Sequence, residues 1–135
     1  MAFADAQASA VIVSGKVPAT VKAVGAVTKG DALGFSGGWK RALATTGSVV
    51  QMRCVAAEDG VDGQDVSVYF EQAVLEGRLS GMTAGGALYV AEGTSNGMYT
   101  QTAPTTTGDA NTIVGYALTT TKAVITPNAN VDSVA

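Results

Sequence analysis

The chain is expected to be all-β: a compact β-barrel or sandwich built from two similar β units, with extended N- and C-terminal arms. Three observations carry that expectation. One phrase occurs twice, as Thr28-Lys29-Gly30-Asp31-Ala32-Leu33 and as Thr83-Ala84-Gly85-Gly86-Ala87-Leu88, and each copy leads into an apolar run, a Gly-marked turn and a second extended run. Short Val-, Thr- and Ala-rich runs alternate with Gly, Asn and Asp clusters, the pattern of strands joined by tight turns. No stretch calls for a long helix. The organisation read from these signals is an arm at 1–14, one β domain at 15–127 with pseudo-repeats of about 15–75 and 76–127, and a tail at 128–135.

The elements follow in order. Residues 1–14 are small and Ala-rich, and are read as a short helix or as an arm that orders against a neighbour. Val17, Val21, Val24 and Val27 punctuate a stretch of Ala, Thr and Gly, as short strands do. Gly30-Asp31 reads as a turn, Ala32 to Phe35 as a strand, Ser36-Gly37-Gly38 as a hairpin turn and Trp39 to Ala44 as the returning strand. Val49 to Ala57 reads as a buried strand, residues 58–65 as an acidic surface loop and Val66 to Glu71 as a half-buried strand. Gln72 to Leu79 admits a helical turn, but Gly77 and the short length favour an extended segment. In the second unit, Ala87–Ala91 and Gly97–Thr102 flank a loop whose Asn96-Gly97 is a hairpin signal. Thr112 to Leu118 matches the strand of residues 51–57, and Lys122 to Thr126 closes the unit before Pro127 ends it.

Composition narrows the function. The 135 residues are 47% hydrophobic and only 14% charged, against about 25% charged in an ordinary domain. A surface so poor in charge suits an assembly subunit whose faces are covered by partners. The net charge is −3 and the eight Lys and Arg are scattered, which argues against direct nucleic-acid binding. Val11-Ile12-Val13 is far too short to cross a bilayer, and the N-terminal residues lack the basic and apolar regions of an export signal. The single cysteine, Cys54, lies in an apolar run and reads as a buried hydrophobe made in a reducing cytoplasm.

Catalytic chemistry is hard to find. With no histidine there is no imidazole base and no Ser-His or Cys-His pair. The carboxylates Glu58, Asp59, Asp62 and Asp65 crowd one Gly-rich loop, yet their spacing is not that of an EF-hand and they read as a solvated turn. Gly34-Phe35-Ser36-Gly37-Gly38 is Gly-rich without the following helix of a phosphate loop. Trp39, flanked by Lys40 and Arg41, reads either as an exposed anchor for a partner or as a core tryptophan. The chain is therefore expected to be neither an enzyme nor a carrier of a cofactor or metal.

Gly30-Asp31-Ala32-Leu33, Gly85-Gly86-Ala87-Leu88-Tyr89 and Val114-Gly115-Tyr116-Ala117 together resemble the capsid cement, or head decoration, proteins of tailed bacteriophages. The resemblance spans roughly residues 16–127, and Cys54 departs from it by standing where Gly is expected. It implies a structural virion protein on the outer capsid surface that clamps neighbouring major capsid proteins, made in the host cytoplasm. It also implies self-association, a homotrimer before a dimer, and no contact with nucleic acid or membrane. The partner-binding residues expected on this reading are Phe3, Val11, Ile12, Val13, Trp39, Arg41 and Val131. A phage tail or spike component, or a β-sandwich that binds carbohydrate, remains an alternative.

Overall fold

The computed structural model describes residues 2–135, and its regular elements there are eleven strands and no helix. A small sheet joins β1 (Ala4–Asp5) to β7 (Leu79–Ser80). All other strands share one curled, antiparallel sheet. In its first half lie β2 (Val11–Lys22), β3 (Ala32–Phe35), β4 (Trp39–Arg41), β5 (Cys54–Ala56) and β6 (Asp65–Glu76). In its second half lie β8 (Ala87–Val90), β9 (Tyr99–Thr100), β10 (Ile113–Ala117) and β11 (Lys122–Ile125). The order is β4-β3-β5-β6-β11-β10-β8-β9, with β2 on the other edge of β6.

That order contains the same motif twice. The path β4-β3-β5-β6 is repeated as β9-β8-β10-β11, and the two motifs meet where β6 pairs with β11. The duplicated phrase supplies the same turn in each. Asp31 N–H donates to the Thr28 carbonyl at 2.8 Å, and Gly86 N–H to the Thr83 carbonyl at 3.0 Å. Gly30 and Gly85 sit at φ of +97° and +80°, a left-handed conformation that Gly adopts without steric cost. Each then donates its N–H to an equivalent carbonyl, Ala56 at 2.9 Å and Ala117 at 2.7 Å. The unit is two-fold in connectivity as well as in sequence.

Strand alternation sorts the side chains into two cores. On β6 the even positions Val66, Val68 and Phe70 face a smaller cluster with Val21, Ala23, Val27, Leu33, Cys54 and Ala56. The odd positions Tyr69, Ala73 and Leu75 face a larger one containing Leu79, Met82, Leu88, Tyr99 and Ile125. On β5, Val55 likewise faces the large core while Cys54 and Ala56 face the small one. The central strands are thus buried on both faces, which is why residues 54–56 show an unbroken apolar run. The first half curls until Ala23, just past β2, bridges Trp39 of β4, with Val24 N–H donating to the Trp39 carbonyl at 2.7 Å.

Some boundaries differ from expectation. The short strands expected over 17–27 are one strand, Val11–Lys22, with register shifts after Ile12 and after Lys16. It begins inside the segment read as an arm, because the β-branched run Val11-Ile12-Val13 finds a partner in β6. The buried strand expected over 49–57 is regular only at Cys54–Ala56. Upstream the Gln51 carbonyl turns against Gly34, leaving only a bridge between Leu43 and Val50. Neither arm hangs free. β1 lies against β7, and the C-terminal tail runs beside residues 108–111, with Ser133 bridging Ala110 and Val134 N–H donating to the Asp109 carbonyl at 2.9 Å.

Val17 sits at φ +58° directly before Pro18, a conformation that a β-branched residue adopts at a cost of about 1–3 kcal/mol. Val17→Gly removes that strain against a flexibility penalty of about 0.5–1 kcal/mol. A gain of roughly 1 kcal/mol in urea unfolding is expected, and a loss would contradict the strain. Burial pushes the Cys54 thiol from 9.0 up to about 12. The folded state therefore favours the protonated thiol: this contribution to stability is whole below pH 9 and is lost as the pH rises towards 12. At pH 8 a thiol reagent should modify Cys54 only at the rate of unfolding, and fast labelling of the native protein would show the burial to be incomplete.

Candidate interaction surface

The strongest polar constellation is a buried ion network at one end of the large core. Arg78, 2% exposed, donates from Nε to Asp5 Oδ1 at 2.8 Å, from Nη1 to Asp31 Oδ1 at 2.8 Å and from Nη2 to the Gly97 carbonyl at 3.0 Å. Arg41 Nε donates to Asp31 Oδ2 at 2.6 Å, and the Thr28 amide donates to the same oxygen at 2.8 Å. Arg78 also lies over the Tyr99 ring at 5.6 Å, and the Tyr99 hydroxyl donates to the Gly30 carbonyl at 2.8 Å. Two guanidinium groups thus balance two carboxylates. Burial alone would pull the Arg78 pKa down, but the Asp5 hydrogen bond and the charges of Asp5 and Asp31 outweigh it and hold the group above its ordinary value. Burial likewise pushes the Tyr99 phenol well above its usual range. The network ties the N-terminal arm, through Asp5, to both repeats.

An aromatic surface flanks the smaller core. Trp39 is half-buried and meets Phe35 at 5.5 Å and Phe70 at 5.6 Å, both edge to face. Phe35 is 62% exposed. Beside them is a shallow hollow of about 320 Å³ whose wall includes Trp39, Phe70, Pro127 and Arg53. Arg53 is anchored there by Nη1, which donates to the carbonyls of Met52 and Asn128, each at 3.1 Å.

The residues expected to bind partners separate into three groups. Val11, Val13 and Val131 are exposed, and the first two stand on β2, whose second edge has no partner strand among the described residues. Phe3 and Ile12 instead pack against the chain's own large core. Trp39 packs partly on the small core, and Arg41 is committed to Asp31 and Thr28. Sequence reasoning missed Asp5 and Arg78 and read Asp31 only as a turn residue. The available signal was Asp31 itself, a carboxylate where the second copy of the phrase has Gly86.

The acidic loop is used for backbone capping. Glu58 accepts from the Ser67 amide at 3.0 Å, Asp59 from Lys29 at 2.7 Å and Asp62 from Gly25 at 2.8 Å, so the carboxylates diverge. No cluster of three metal-ligating side chains occurs among the described residues. Among the described residues, Glu92 and Asp109 are an interacting carboxylate pair. The proximity of the two carboxyls raises the Glu92 pKa and lowers that of Asp109, which also accepts from the Thr46 amide at 2.7 Å. Comparisons with known proteins add no relative: no family model, no curated protein and no solved structure matches the chain.

Proposed function

We propose that the chain is a structural virion protein, a capsid cement subunit that binds the outer surface of a phage head and clamps neighbouring major capsid proteins. The observation that carries this reading is the distribution of apolar surface. Val11, Val13, Val17, Phe35 and Val131 are each at least half exposed in a chain with only 14% charged residues. Three of them, Val11, Val13 and Val17, stand on the single strand β2, and clustered apolar surface is an interaction site more often than a solvent face. The unpaired edge of β2 supports the same reading, since an edge strand can accept a neighbour's strand. Its bulges, Pro18 and Lys16 restrict indiscriminate pairing along the middle of the strand. A homotrimer would multiply the contacts each subunit makes, with binding after the first contact effectively intramolecular.

The experiment is addition of purified protein to phage heads lacking it, followed by sedimentation and gel quantification. Wild-type protein should co-sediment at a fixed stoichiometry of hundreds of copies per head. Val11→Ser with Val13→Ser should leave the circular dichroism and melting curve unchanged, because both side chains are more than half exposed. The same double variant should cut occupancy about tenfold, the loss expected when two apolar contacts of about 0.7 kcal/mol each are removed. Failure of the wild-type protein to bind any head, or full occupancy by the double variant, would count against the reading.

A further inference from the structure

A polar hollow of about 330 Å³ lies between the turn at Gly25, strand β4 and the loop at 94–96. The geometry points to a carboxylate-binding site here, one that takes an Asp or Glu side chain of a neighbouring protein through Arg41, Lys40, Asn96 and Thr94. The inference deepens the assembly reading above and depends on it only for who the neighbour is.

Lys40 and Arg41 are the hollow's two basic residues, Thr94 and Asn96 its hydroxyl- and amide-bearing ones, and no carboxylate residue belongs to the lining. Asp62 comes near, but its Oδ1 accepts from the Gly25 amide at 2.8 Å and the residue is not part of the wall. Arg41 is held in place from behind. Its Nε bonds Asp31 at 2.6 Å and its Nη2 bonds the Thr28 hydroxyl at 2.9 Å, which leaves Nη1 without a partner among the described residues. Asp31 cannot swing away, since Arg78 and the Thr28 amide fix its other contacts. Such a fixed guanidinium loses little freedom when a ligand arrives.

Asn96 is positioned by the same device. Gln7 holds φ at +46°, and its Nε2 donates to the Asn96 carbonyl at 2.6 Å. A non-glycine residue in that region is a strained choice, retained where surrounding bonds determine it. The Asn96 side-chain amide and the Thr94 hydroxyl have no partner within the described residues and remain available as donors.

Charge counting then selects the ligand. Arg41 and Arg78 are balanced by Asp5 and Asp31, and Lys40 forms no ion pair among the described residues. Among the lining residues Lys40 is thus the one cation without an ion-pair partner, and the Asp62 carboxylate that caps Gly25 at the rim is the charge facing it, in a chain of net charge −3. One unpaired cation matches a monoanionic carboxylate better than a phosphate dianion, and charge-assisted hydrogen bonds favour it over a neutral amide.

The test is an NMR titration of the isotopically labelled full chain at constant ionic strength. The probes are N-acetyl-aspartate α-amide, its neutral asparagine isostere and inorganic phosphate. The carboxylate probe should give saturable shifts of the Gly25, Lys40 and Asn96 amides in the millimolar range, while the isostere gives none. Lys40→Gln should weaken that binding by about threefold, the ratio a partly exposed charge pair is worth. Equal shifts with the isostere, unchanged binding in K40Q, or phosphate binding tenfold tighter than the carboxylate would each overturn the inference. The titration needs no phage head, so its failure is separable from a failure of head binding.

Discussion

Asp31→Ala is expected to lower the melting temperature by roughly 10–20 °C, the largest effect of any single surface-independent change in the ion network. The substitution leaves Arg78, 2% exposed, facing Asp5 alone, and strips Arg41 of its buried counter-charge. Breaking a buried ion pair from one side costs about 3–5 kcal/mol, because the remaining charge is stranded away from water. For a domain of this size each kcal/mol is worth about 3–5 °C. Thermal unfolding followed by circular dichroism and by the fluorescence of the single tryptophan, Trp39, reads the effect in both the sheet and the small core. The internal control is Lys22→Ala. Its partner Asp65 is 3.7 Å away and both side chains are about 70% exposed, so a change beyond about 0.5 kcal/mol is not expected. Equal small effects at both sites would mean that the buried network contributes no more than an exposed pair.

That network also marks the limit of what the residues reveal in linear order. The fold class was legible because its signals are local. Gly37-Gly38 between Phe35 and Trp39 encodes a hairpin, and Thr-x-Gly at 28–30 and 83–85 encodes the same turn twice. Apolar runs of a few residues encode strands in the same way. Asp31 is different. Read with its neighbours it is ordinary turn chemistry, and it does donate its amide to Thr28 as a turn residue should. Its second role depends on Arg78, 47 residues on, and on Asp5 near the start of the chain. No local pattern links those three positions. The exposed valines on β2 were legible as apolar residues, whereas the inward packing of Ile12 between them depends on which face of β2 meets the large core. Its register partner, Leu75 of β6, sets that choice, and Leu75 lies 63 residues further along the chain.

The two repeats align closely but are not interchangeable, and Gly115→Ala should expose the difference. The equivalent position in the first unit is Cys54, as the matched bonds of Ala56 and Ala117 show. Cys54 points its side chain into the small core, where it is fully buried. Gly115 has no such space. A Cβ built there collides with the Val124 carbonyl oxygen and comes within 3.0 Å of the Ile125 Cα. Both atoms belong to the backbone of the paired strand β11, so no side-chain rotation relieves the contact. Accommodating one methyl group therefore requires the β10–β11 ladder to part, at a cost of about 2–4 kcal/mol, the upper range for overpacking in a core. Urea unfolding should register that loss, and hydrogen exchange should place it in β10 and β11 first, since the clash is confined to their pairing. Cys54→Ala, by contrast, removes one sulfur from a packed site and should cost about 1 kcal/mol. A Gly115→Ala protein as stable as the wild type would mean that the second unit can adopt the geometry of the first, and that the asymmetry between the repeats is not enforced by the backbone.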